Sequence, residues 1–362
     1  MKSLTLPFHF GEDNGDRSRQ GVIMLVVLTL LLVVACLISL GSGPTGADLG
    51  HLWLYLTGRS AELAVQERVV LEAVRLPRTA LGVLVGAGLG VSGAMMQGLF
   101  RNPLADPGIV GVTSGAALFA VAGIVLGSTI LAPVSLLLGS HFLPLMAFLG
   151  GLLNTWVLYL IATRDGETST SKLILSGIAV GALSLAAMGL LIFMADDRQL
   201  RDITFWNLGS LGGATFTRVI SILPFVVVVT GIIPFVARGL DALILGDAAA
   251  FHMGIPVQRL KRLVILAVAA ACGATVAVAG SIGFVGIVVP HLLRLVIGPS
   301  HRFLLPGSAI GGAALLLIAD SVARTIVSPA ELPIGIITAL FGAPVFLMLL
   351  LGRKGGAGMG GM

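Results

Sequence analysis

The sequence predicts an all-α polytopic membrane protein with ten transmembrane helices, on the strength of three observations. Uncharged stretches recur along it: no Asp, Glu, Lys or Arg lies between Thr79 and Phe100, between Leu173 and Ala195, or between Leu332 and Gly352. Each matches the ~20 apolar residues that cross ~30 Å of hydrocarbon. Charged residues make up only 11% of the chain and hydrophobic ones 56%, whereas soluble domains carry roughly 25% charge. Finally, Gly82, Gly86, Gly90 and Gly93 recur three or four apart inside one uncharged run. That spacing lets helix backbones approach closely in lipid, where apolar side chains alone give no drive to associate.

The first apolar run, 21–40, follows Lys2, Arg17 and Arg19. It is longer than the ~7–15 residues of a signal-peptide core and no small-x-small cleavage site follows, so it reads as a retained helix after a tail of residues 1–20. The next loop, about 41–78, carries a charged amphipathic piece around Ala61–Arg75, expected as a helix on the membrane surface. Span 79–100 has Pro77 at its first turn, where the missing N–H is harmless. The uncharged block from Pro107 to Thr163 needs two crossings, 108–127 and 143–163, with a turn in the Gly-, Ser- and Pro-containing stretch 127–144. Spans 172–195 and 217–237 precede the loop 238–262. The following apolar block breaks at Gly280-Ser281-Ile282-Gly283 into 263–280 and 282–297. Spans 304–322 and 334–352 complete one domain, 21–352, before a tail of 353–362.

Ten crossings put both termini on one side. With the termini cytoplasmic, 14 of the 22 basic residues fall on or near the inside, as the positive-inside rule requires. The net charge of +5 does not indicate nucleic acid, because the basic residues are scattered as loop anchors with no aromatic-interleaved patch. Cys36 and Cys272 lie inside apolar runs and read as small buried hydrophobes rather than a disulfide.

Two motifs mislead. Gly88-Leu89-Gly90-Val91-Ser92-Gly93 satisfies G-x-G-x-x-G, but a dinucleotide site needs a strand before it and a helix N-terminus after it. Here the motif sits mid-span, so it reads as helix packing. Ser169-Thr170-Ser171-Lys172 satisfies S-x-x-K but has no S-D-N or K-T-G partner. No metal-ligand cluster, catalytic triad or Walker A sequence is recognisable.

Four segments hold candidate functional residues. Arg75-Leu76-Pro77-Arg78 opens the second span, where two arginines oppose the positive end of the helix dipole. Snorkelling to the interface explains them, as does pairing with a partner's carboxylates. Arg101 to Gly108, with two prolines and a glycine, enforces a sharp reversal, either a plain tight turn or one that projects Asn102 and Leu104 toward a central path as a constriction. Ser169-Thr170-Ser171 starts the fifth span, either as an N-cap or as a second constriction. Within the loop 238–262, Asp247 reads as an N-cap, three alanines propagate a helix, and Gly254 with Pro256 ends it. A two-turn helix with no core of its own needs a partner to dock on.

Together these segments resemble the FecCD-type permease subunit of ABC importers for iron–siderophores, haem and vitamin B12. The resemblance is carried by RLPR at 75–78, GAGLGVSGAMMQGLFRNPLADPGIVGV at 86–112, LGD…A…MG at 245–254, GFVGIVVPHLLR at 283–294, LPG at 305–307, AD…AR at 319–324 and ELPIGIITALFGAPVFLMLL at 331–350. It implies a type II ABC importer permease fold in a bacterial inner membrane, a homodimer, two ATPase subunits below and a periplasmic binding protein above. It assigns Arg75, Arg78 and Arg324 to docking the binding protein. It also assigns Asn102, Leu104, Thr170 and Ser171 to the cytoplasmic gates, and Gly246, Asp247, Ala250, Met253 and Gly254 to the ATPase coupling helix. Asp247 and Met253 stand where family members commonly have Glu and Leu.

The segment around Trp206, Asn207, Gly209 and Ser210 matches the family's short helix at the entrance. It looks more like haem than B12 importers, though siderophore permeases carry similar segments. The resemblance thus implies ATP bound on partner subunits, no cofactor on this chain, and haem as cargo, with iron–siderophore or B12 as alternatives. His291 reads as structural, His252 lies away from any cargo, and Met188 and Met194 read as packing residues. An ion-coupled secondary transporter is the rival class. It calls for acids at mid-membrane, whereas Asp106, Asp320 and Glu331 are all expected near helix ends.

Overall fold

The computed structural model describes residues 18–42, 49–327 and 330–352; most of the expected tail 1–20 and all of 353–362 lie outside the described residues. In lipid every backbone polar group must be satisfied within the protein, and the apolar runs accordingly fold as helices. Helix α1 (Ser18–Gly41) buries Gly21, Leu28 and Ala35, one residue every two turns, and Ser39 near its end, while most of its large apolar side chains from Val22 to Ile38 are exposed. Helices α2 (Leu49–Leu56) and α3 (Val65–Val69) follow, and a π-helical stretch, Val70–Arg75, carries α3 without a break into α4 (Leu76–Leu99). The separate surface helix expected around Ala61–Arg75 is therefore the outer part of a 35-residue helix, Val65–Leu99. The wider π turn accommodates the Pro77 ring, which would clash with the carbonyl four residues back in a regular α-turn.

Helix α4 closes with Arg101 in the left-handed region (φ 53°), its N–H on Gly98 O, and the Asn102 N–H on Gln97 O. These two bonds satisfy carbonyls that the helix end would otherwise leave open. Asp106 caps a 3₁₀ turn, Pro107–Val110, which delays α5 (Val112–Leu126) beyond its expected start at 108. The expected turn 127–144 contains α6 (Ala132–Leu138) before α7 (Phe142–Ala162). A hairpin of β1 (Thr163–Arg164) and β2 (Glu167–Thr168) turns on Asp165-Gly166, both at positive φ, the conformation for which Asp-Gly is favoured.

Ser169 then caps α8 (Thr170–Phe193), and Asp196 with Gln199 forms a capping box on α9 (Asp197–Leu208). Helices α10 (Phe216–Gly231) and α11 (Ile233–Leu243) meet at a 52° bend, where Pro234 cannot donate to the ladder. Helices α12 (Asp247–His252), α13 (Val257–Ala279), α14 (Val285–Ile297), α15 (His301–Thr325) and α16 (Ile334–Gly352) complete the chain. Among the described residues, six long helices, the bent α10–α11 pair and the shorter apolar helices α5, α14 and α16 occupy the ten positions expected of spans.

Helices α4, α13 and α15 form the buried centre, while α1 and α8 lie outside. The glycine face of α4 is what permits this. Gly86 lies against Gly312 O and Ala313 Cα, Gly90 against Ser308 O, and Gly93 against Gly286 O. A Cβ at any of them would collide with backbone rather than with a yielding side chain. The G-x-G-x-x-G sequence is thus helix packing, as its mid-span position predicts. Cys36 and Cys272 are both free thiols.

Gly90→Ala and Gly93→Ala should each push α4 off its neighbours and cost about 1–3 kcal/mol. Thermal unfolding in detergent should show a lowered midpoint for both. Gly231→Ala, where nothing lies within 4 Å of the added carbon, should leave the midpoint unchanged.

Candidate functional site

Helix α12 is held at both ends by glycines that adopt positive φ, Gly246 (105°) and Gly254 (82°). Asp247 is expected as the N-cap, but Gly246 occupies that position, and Asp247 is the first helical residue with no side-chain cap bond. Its carboxylate is engaged elsewhere. Lys261 Nζ, 2% exposed, donates to Asp247 Oδ2 at 2.6 Å, and Arg101 Nη2 lies 3.9 Å from Asp247 Oδ1. Ala250 is buried, whereas Phe251 and Met253 are exposed at 69% and 51%. Phe251 on the helix and Met253 at its C-terminal cap therefore present apolar side chains outward, beside the exposed Ile244 and Leu245.

The two predicted constrictions start at the same end. The Asn102 side-chain oxygen accepts from the Leu104 N–H, which tightens the turn after α4. Asn102 is exposed and Leu104 partly buried. Thr170 and Ser171 open α8 behind the Ser169 cap, and Ser171 is exposed. The hairpin just before them is fastened to α13: Thr168 N–H donates to Gln258 Oε1 at 2.9 Å, and Thr168 O accepts from Lys261 Nζ at 3.0 Å. Sequence reasoning missed Thr168, Gln258 and Lys261. The Asp165-Gly166 pair signals a hairpin there, but nothing local signals its attachment to residues about 90 positions away.

At the opposite end the three arginines assigned to docking are buried and paired within the chain. Arg75, Arg78 and Arg324 are 2%, 5% and 4% exposed. Arg78 clamps Asp320, with Nη2 to Oδ1 at 2.9 Å, and its Nη1 lies 2.9 Å from Glu331 Oε1. Arg324 Nε lies 3.1 Å from Asp320 Oδ2, and its other nitrogens donate to the carbonyls of Ser39 and Ser42. Arg75 donates to Leu40 O. A guanidinium next to apolar helices must find acceptors within the protein, and these are supplied by α15 and the end of α1. Glu331 is the more exposed carboxylate of this cluster, at 39%.

Nearby, Gly209 O accepts from the Ile334 N–H, and the Ser210 N–H donates to Ala279 O. The Trp206–Ser210 segment is thereby tied to the ends of α13 and α16, with Trp206 and Asn207 partly buried and Gly209 buried. The acids lie near helix ends, as expected, with Asp106 capping the 3₁₀ turn after α4, Asp320 in the last turns of α15 and Glu331 just before α16, but two of them face inward. Asp320 is fully buried within α15, and Asp106 borders a cavity of about 130 Å³ beside Leu89 and Cys272, both mid-helix residues. The turn after α4 therefore dips back into the bundle. His291 is buried in α14, and His252 is exposed on α12.

A bundle of ten apolar segments with a short helix at one end and an ion cluster at the other defines a polytopic membrane protein. Its arrangement matches a solved metal-chelate type ABC transporter in an inward-facing conformation, at a TM-score of 0.78 and 32% identity over 92% of this chain and 99% of that one. The fold is that of a type II ABC importer permease. The chain belongs to the FecCD transport family, whose pattern matches residues 31–352. It is 43% identical to the hemin transport system permease protein HmuU of Yersinia pestis, over 92% of this chain and 96% of that one. It is also 45% identical to the cobalamin import system permease protein BtuC of Halobacterium salinarum, over 79% and 74% of the two chains, and 39% identical to the vitamin B12 import system permease protein BtuC of Shigella boydii, over 93% and 97%.

Asp320→Asn should leave two buried guanidinium groups short of a counter-charge, a change that costs about 3–5 kcal/mol when a buried pair is broken. The variant should show a clear loss of thermal stability in detergent. Glu331→Gln, at a half-exposed position where pairs are worth about 0–1 kcal/mol, should not.

Proposed function

We propose that this chain is the permease of an ATP-driven importer that carries haem into the cytoplasm. The observation that carries the ATP-driven part is α12: a short helix held by two positive-φ glycines, with Phe251 and Met253 presented to an outside partner. Two ATP-binding cassette subunits dock there and supply the hydrolysis, for which this chain has no Walker A sequence. Two copies of the chain enclose the path. In support, α8 buries only Leu173, Ser176 and Ser184 against its own chain, which leaves its other faces for a second copy or lipid. The membrane is the bacterial inner membrane, with the α12 end and both termini cytoplasmic and the Arg78 end periplasmic.

A periplasmic binding protein docks at that outer end, at Arg75, Arg78 and Arg324. Because these groups are satisfied internally, docking through Arg78 requires Glu331 to yield its place to a carboxylate of the binding protein. The segment Trp206, Asn207, Gly209 and Ser210 stands at the entrance, and Asn102, Leu104, Thr170 and Ser171 form the inner constriction. Haem is supported by the similarity to the Yersinia pestis permease, which matches nearly all of both chains. Vitamin B12 is the second reading, supported by relatives of similar identity.

Phe251→Ser should weaken association with the ATPase subunit at least about tenfold, as loss of an exposed aromatic anchor does at other interfaces. Co-purification and surface-immobilised binding measure this. Proteoliposomes holding the assembled transporter and internal ATP should accumulate haem delivered by a haem-loaded binding protein; uptake of cyanocobalamin alone would replace haem by B12.

Cysteines at 104 and 170, in a background lacking Cys36 and Cys272, should react with thiol reagents at rates that change with the nucleotide bound by the ATPase. Rates independent of nucleotide at both positions would leave them ordinary turn residues.

A further inference from the structure

At the α12 end, the contacts of Asp247 run to both turns that were assigned to the constriction, but the two contacts differ in kind. Toward the turn after α4, Arg101 Nη2 approaches Asp247 Oδ1 only to 3.9 Å, with both side chains more than 40% exposed. Such a pair is long, wet and loose. Toward the hairpin before α8, Lys261 is 2% exposed and bonds Asp247 Oδ2 at 2.6 Å and Thr168 O at 3.0 Å. Three residues earlier on the same face of α13, the Gln258 side chain takes the Thr168 N–H. Both backbone groups of Thr168 are thus held by one helix face, since positions three apart on a helix are neighbours. Thr168 in turn precedes the Ser169 cap of α8 and pairs with Thr163 across the hairpin.

We infer that Lys261 is a positioning residue that carries movement of α12 to the start of α8, through the chain Asp247–Lys261–Thr168. A buried ammonium group cannot exchange its partners for water without a large desolvation cost. When Asp247 moves, Lys261 must therefore follow it or lose its counter-charge, and Thr168 O is its other anchor. The pair behaves as a stiff link, whereas the solvated Arg101 contact can stretch and be replaced by water. Of the two turns, the one leading to Thr170 and Ser171 is consequently the more tightly coupled to α12. This inference rests on the reading of α12 as the ATPase coupling helix.

The test uses the full transporter with its ATPase subunit and a single reporter cysteine, Thr170→Cys, in the background lacking Cys36 and Cys272. Lys261→Met keeps the length of the side chain and removes its charge. It should still bind the ATPase within about twofold, yet thiol reactivity at 170 should no longer change with nucleotide, and uptake per ATP should fall tenfold or more. Lys261→Arg, which keeps the charge, should restore most of the nucleotide dependence. Normal nucleotide dependence at 170 in Lys261→Met overturns the inference while leaving the α12 reading intact. If instead Phe251→Ser leaves ATPase binding unchanged, the α12 reading itself fails. Should Lys261→Met not assemble, Gln258→Met frees the Thr168 N–H and keeps the charge paired; it should reduce the nucleotide response at 170 by at least half, and an unreduced response again overturns the inference.

Discussion

The close approach of α4 to α15 and α14 is the constraint on which the rest depends. In lipid there is no hydrophobic gain from bringing two apolar helices together, so packing of backbone on backbone must hold them. Gly86 and Gly90 against Gly312 and Ser308, and Gly93 against Gly286, provide that packing. With the axis of α4 pressed against α15, its two ends are also placed. At one end Arg78 reaches Asp320, 242 residues away in the chain. At the other, His301 packs its ring on Gly98 and takes Asp241 at 2.6 Å, which joins the ends of α4, α11 and α15 just before α12 begins.

Each end carries a buried cation tied to a carboxylate that water can reach. Arg78 holds the fully buried Asp320 and, on its outer side, the half-exposed Glu331. Lys261 holds Thr168 O and, on its outer side, the half-exposed Asp247. The buried member of each cluster is costly to move because it cannot fall back on water. The exposed carboxylate is the group that an outside partner can address, because solvent already weakens its hold. On the function proposed above, partners address the two ends, and this division would give them a stiff interior and one solvent-reached acid at each surface.

The ion cluster at the Arg78 end also changes how acids in this bundle are understood. Asp320 is a fully buried acid within a membrane helix, a feature that by itself would suit an ion-coupled transporter. Here two guanidinium groups neutralise it from both sides. Its role in the fold is to join α15 to α4, and Arg324 extends the same cluster to the end of α1 through Ser39 and Ser42.

The ten apolar segments, the glycine face of α4, the packing role of the G-x-G-x-x-G run and the short helix at 247–252 were all legible in the sequence. Lipid makes them so: it demands uncharged runs of a fixed length, and it rewards small residues at a helical spacing, both of which are local properties of the chain. The docking, gate and coupling roles were proposed from resemblance, and the sequence could not say which side chains around those residues would be paired. Burial of Arg75, Arg78 and Arg324, the pairing of the Asp247 carboxylate with Lys261 in place of a capping role, and the return of Asp106 toward Cys272 were decided only in three dimensions. The partners in these contacts lie from 14 to 285 residues apart, and a lone Arg or Lys beside an apolar run looks the same whether it snorkels to water or meets a carboxylate from a distant helix. Which of these happens depends on where that helix ends, and tertiary packing sets that position.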